Sequence, residues 1–146
     1  MIQAMRELLG HWSLVSWTGV TEEGRSVAHG GPAPRGDLIY LPSDRMSVQI
    51  QYDGRAPFGS LELEAGDEPA RAAAYETYIA YCGRFSVPRP GLVVHHVELA
   101  LHPDQPGLDK EREFTLSGDE PTLRTQAVVS EAGLASSELR WRRPAG

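Results

Sequence analysis

Apolar and polar positions alternate along most of this chain, and that period of two predicts strands. From Gly10, "HWSLVSWTGV" puts Trp12, Leu14 and Ser16 on one face and Ser13, Val15 and Trp17 on the other. "DLIYL" and "MSVQIQY" keep the period, joined by "PSDR", whose turn residues predict a hairpin. In the second of them Met46, Val48 and Ile50 share a face, opposite Ser47, Gln49 and Gln51. Five further strands are expected at "RFSV", "LVVHHVELALH", "KEREFTLSG", "PTLRTQAVV" and "LASSELRWRR", punctuated by "VPRPG", "PDQPG", "SGDEP" and "SEAG". A helical period replaces this one in two places. "QAMRELL" predicts a turn or two before the first strand. Residues 67–82, "DEPARAAAYETYIAYC", predict the one substantial helix. Asp67 caps it, Pro69 fits its first turn, Gly83 stops it, and Tyr75, Tyr78, Ile79 and Cys82 form its apolar stripe.

About eight antiparallel strands with one mid-chain helix make this an all-β chain. A sheet of that size closes on itself, because closure removes exposed edges. Eight strands enclose a space just wide enough for packed side chains or one small ligand. The 146 residues are expected to form a single domain spanning 1–146, with no internal repeat. Formal charge is -6, and Lys110 is the only lysine among scattered arginines, which argues against nucleic acid or an anionic membrane as partner. Cys82 is the sole cysteine, and neither a signal-peptide core nor an apolar run of ~20 residues occurs, so a cytoplasmic protein is expected.

Three of the five histidines fall in "VVHHVELALH". Neighbours on a strand face opposite ways, so His95 goes with Val93, Val97, Leu99 and Leu101, and His96 with Val94, Glu98 and Ala100. If the interior is a dry core, His95 is a lone buried imidazole and His96 and Glu98 are solvated. If it is a polar-dotted cavity, His96 and Glu98 project inward, where the carboxylate would orient or charge the imidazole for acid/base work. His102 lies about 20 Å from His96 along a straight strand, so a third metal ligand is missing and no metal is expected. Arg112 shares a face with Phe114 and Leu116; it either meets a ligand carbonyl or carboxylate or snorkels at the rim. Arg124 repeats the idea. Tyrosines such as Tyr78 suit an aromatic ligand, or else pack helix on barrel. Cys82 lacks any reactive context, and no phosphate-loop, dinucleotide or nucleophile-elbow motif appears, so no cofactor is expected.

Gly10-x-Trp12, followed by Leu14 and Val15, resembles the opening strand of lipocalins and fatty-acid-binding proteins. With "GDLIYLPSDRMSVQI", "YETYIAYCGRFSV", "VVHHVELALHPDQPG" and "EREFTLSGDEPTLR", the chain resembles the bacterial and fungal lipocalin-like domain family over roughly residues 8–142. The resemblance implies a calycin-type barrel in which Trp12 closes one end and an arginine of the last strand, Arg140 or Arg142, packs across it. It also implies binding of a small, largely apolar metabolite, aromatic and polyketide-like ones included. The candidate contacts are Trp12, Tyr40, Gln49, Tyr78, Arg112 and Arg124. Some relatives sit among enzymes of secondary metabolism. The first alternative is therefore a cofactor-independent cyclase or isomerase, with His96 and Glu98 moving protons and Arg112 or a tyrosine polarising a carbonyl. The second is a protein-interaction module with a filled barrel. Homodimerisation stays open.

Overall fold

The computed structural model describes residues 2–117, 122–127 and 136–144. In chain order the elements are α1 (Ile2–Leu8), β1 (Gly10–Val20), β2 (Ser26–Ala28), β3 (Arg35–Tyr40) and β4 (Arg45–Gln51). There follow α2 (Glu68–Glu76), β5 (Tyr78–Arg89), β6 (Leu92–Ala100), β7 (Asp109–Leu116), β8 (Thr122–Ala127) and β9 (Ser136–Arg142). Pairing runs β1-β3-β4-β5-β6-β7-β8-β9 and returns to β1, every neighbour antiparallel. The result is a closed eight-strand meander, with β2 added beside the far end of β1. No helix among the described residues is long and apolar enough to cross a membrane.

Local rules explain much of this. The β3–β4 turn occupies "LPSD", closed by the Leu41 N–H to the Arg45 carbonyl at 2.8 Å, with Asp44 in the left-handed region. Met46, Val48 and Ile50 all point inward and are buried. The strict alternation expected of β1 fails. Leu14 pairs with Trp141 but Ser16 with Arg140, so Val15 is an extra residue in a β-bulge. The bulge shifts the parity by one: Trp12 and Trp17 are both buried, and Val15 is 48% exposed.

The expected helix over 67–82 holds only in its first half. Asp67 accepts from the Ala70 N–H at 2.9 Å and Pro69 sits in the first turn, but α2 ends at Glu76 with no buried residue. Thr77 is its C-cap, and Tyr78 already belongs to β5. From there Tyr81, Gly83, Phe85 and Val87 are buried at alternate positions. Ladders to β4 and β6 satisfy the backbone on both sides, and these β-branched and aromatic side chains favour a pleated surface. The Tyr75–Cys82 stripe therefore does not form. Glycine is required at Gly83 because a Cβ there would overlap the His96 carbonyl oxygen of β6.

One end of the barrel is sealed by α1. The Trp12 indole donates to the Leu8 carbonyl at 2.8 Å, and the guanidinium over its ring, 4.1 Å from the centroid, belongs to Arg143. Arg143 also donates to the Leu9 and Glu7 carbonyls at 2.7 Å each, satisfying acceptors left over at the C-terminus of α1. The expected arginines, Arg140 and Arg142, are exposed instead. Trp141 between them fills the interior, so its neighbours must face solvent.

Candidate functional site

The barrel encloses a cavity of about 100 Å³. Leu38 of β3, Val48 and Ile50 of β4 and Leu139 of β9 give it apolar walls. A polar patch comes from three consecutive strands: Tyr81 of β5, His95 of β6, and Lys110 and Arg112 of β7. The β7 pair reaches inward beside His95 because Lys110 and Arg112 have the same parity and register opposite His95 and Val93.

His95 is only 3% exposed. Its Nε2 lies 2.7 Å from the Tyr40 hydroxyl and its Nδ1 2.7 Å from the Tyr81 hydroxyl. Burial, then the positive charges of Arg112 and Lys110, and then His96 hold its pKa well below 6.5. A neutral imidazole has one N–H and one bare nitrogen, so one phenol donates to it and the other accepts from it. Burial also pushes the Tyr40 hydroxyl well above 10, with Tyr81 adding to the rise and Arg112 opposing it. Tyr40–His95–Tyr81 is thus a hydrogen-bonded relay centred on a neutral imidazole, and its cavity end, Tyr81, can present its hydroxyl either way round. The Lys110 ammonium sits 4.8 Å from the Tyr81 ring centroid. Such a wall suits a phenol, carbonyl or oxyanion.

Of the anticipated contacts, Arg112 lines the cavity and Tyr40 reaches it through His95. Trp12 seals the α1 end. Gln49 and Tyr78 are bonded to each other at 2.5 Å on the outer wall, in a groove shared with Arg35 and Asp37. Arg124 also faces out, paired with Glu138 at 2.8 Å. The acid/base pair is corrected in its placement. His96 lies outside between the Ser86 hydroxyl (2.8 Å) and Asp109 (2.7 Å), and Glu98 is held by Arg45 at 2.6 Å. The physical reason is β6 itself: Val93, His95 and Val97 are its inward set, so His96 and Glu98 cannot be.

Trp17, Tyr81 and Lys110 were not anticipated. Tyr81 was hidden by the helical reading of its segment, and Trp17 by the bulge. Lys110 did carry a signal, since it shares a strand face with Arg112 and Phe114. Among the described residues no three His, Cys, Asp or Glu side chains cluster as metal ligands.

A family model described as a lipocalin-like domain matches residues 9–144. A protein of Aspergillus oryzae (strain ATCC 42149 / RIB 40), named 4'-hydroxy-3'-methoxypropiophenone carrier protein, is 31% identical over 106 residues. That match covers 67% of this chain and 96% of the relative.

Proposed function

The chain belongs to the lipocalin-like domain family, and on that premise we propose that its barrel binds one single-ring aromatic metabolite and carries it unchanged. The observation that supports this best is the barrel interior, in which the polar patch Tyr81–His95–Lys110–Arg112 faces largely apolar walls that also carry Gln105, Thr125 and Ser137. Size narrows the ligand class. A cavity of roughly 150 Å³ accommodates one benzene, so at about 100 Å³ the walls must give way even for a single ring, and nothing larger than one ring is accommodated. The Aspergillus relative is named for carrying an aryl ketone with a ring hydroxyl, which is the same class. Carriage is favoured over conversion because both nitrogens of His95 are engaged by phenols and His96 and Glu98 lie outside.

The test is a titration with 4'-hydroxypropiophenone, followed by calorimetry and by the fluorescence of Trp17 and Trp141, which line the cavity. One saturable site is expected, with the ketone recovered intact. Ile50→Phe, which fills the cavity from β4, should abolish binding, and His96→Ala and Glu98→Ala should leave it unchanged. Absence of saturation, or loss of binding in the His96 and Glu98 variants alone, would refute the proposal.

A further inference from the structure

Each of the three tryptophans is buried, and two have their indole N–H bonded. Trp12 donates to the Leu8 carbonyl at 2.8 Å and Trp141 to the Thr125 hydroxyl at 3.2 Å. Trp17 is 6% exposed, lines the cavity, and has no hydrogen-bond partner for its Nε1 among the described residues. A buried donor left unmade is costly, so native structures rarely keep one without a reason.

His29 stacks against Trp17 at 4.3 Å between centroids and Tyr52 meets it edge-on at 5.8 Å. His29 and Tyr52 use their polar atoms on each other, at 2.9 Å. The Cε3 edge of the indole faces Gly30 in the loop after β2. Nε1 belongs to the edge of the indole opposite Cε3 and is taken up by none of these contacts. Around the barrel, β1 is four strands from β6 in either direction, so Trp17 and His95 belong to opposite walls of one cavity.

We propose that Trp17 is the carbonyl-recognising residue of the cavity: its Nε1–H donates to a ketone oxygen, and the ring hydroxyl of the same ligand meets Tyr81, the bonded neighbour of His95, across the cavity. The inference rests on the reading of the cavity as a binding site and specifies which ligands fit it. An indole donates and cannot accept, so an acceptor-only oxygen complements it, whereas a hydroxyl would bring a second proton to be placed. The ligand is then an aryl ketone with an oxygen function across the ring. A plain hydrocarbon substituent at the Trp17 end leaves the donor unmade.

Two probes isolate that bond: 4'-hydroxypropiophenone and 4-propylphenol, which differ in the carbonyl. In ¹⁵N-labelled wild-type protein, the ketone should move the Trp17 indole N–H resonance downfield, and 4-propylphenol should not. The Trp12 and Trp141 indoles serve as internal references, since their protons are already bonded. By calorimetry, Trp17→Phe should weaken the ketone about tenfold and change 4-propylphenol by less than about twofold. If Trp17→Phe does not fold, the wild-type resonances decide alone. Binding of both probes with no difference at the Trp17 indole overturns the inference and leaves the cavity reading standing. Failure of both probes to bind overturns the two together.

Discussion

Acid should destabilise this barrel through His95, by an amount the structure allows one to work out. In the unfolded chain the imidazole titrates at 6.5; in the fold, burial, Arg112, Lys110 and His96 keep it neutral far below that. Between those two pKa values the unfolded state takes up a proton that the native state refuses. Stability is therefore complete above pH 6.5 and falls as the pH drops, continuing until the folded pKa is reached. Once the unfolded imidazole is protonated, each further pH unit in that window costs about 1.4 kcal/mol. Against a total of roughly 5–15 kcal/mol for a domain, that is a measurable share. The assay is urea unfolding at several pH values between 7.5 and 5, on wild type and on His95→Gln. The amide still offers a donor and an acceptor to the two tyrosines but does not titrate. His29, whose pKa burial also lowers, and every carboxylate contribute to both proteins and cancel in the difference. The stability advantage of wild type over the variant should shrink as the pH falls below 6.5, with a slope approaching about 1.4 kcal/mol per pH unit. A difference that stays constant across the window would refute the claim that His95 is held neutral.

Two predictions concern what keeps the barrel shut. Gly83→Ala inserts a methyl group against the His96 carbonyl oxygen and within 3.0 Å of the Glu98 nitrogen, both backbone atoms of β6. It should cost roughly 3 kcal/mol or more, and a thermal midpoint close to wild type would contradict the close approach of β5 to β6. Arg143→Met removes two 2.7 Å bonds, to the Glu7 carbonyl of α1 and the Leu9 carbonyl just past it, and the guanidinium over Trp12, and should cost about 2–3 kcal/mol in denaturant unfolding. Arg142→Met, on the exposed side of β9, should change stability by less than about 0.5 kcal/mol; equal effects of the two would assign the seal to the wrong arginine.

What the sequence determined by itself was whatever depends on near neighbours. The period of two marked the strands, "PSDR" marked the β3–β4 turn, and Asp67 and Pro69 marked the start of α2. Gly10-x-Trp12 with its companions pointed to the family. The sequence also divided "VVHHVELALH" correctly into two faces. Tertiary structure alone decided which face is inside, because both faces carry apolar residues and only closure of the sheet gives one of them an interior. It placed the bulge at Val15, which depends on register with β9 and brings Trp17 into the cavity wall. It ended α2 at Glu76, since β4 and β6 offer Tyr78–Val87 a ladder that outweighs helix propensity. It chose Arg143 for the seal, one residue past β9, from the position of the α1 carbonyls. Each of these depends on contacts between residues far apart in the chain. Alternation shows that a strand has two sides, and the closed barrel gives one of them an inside.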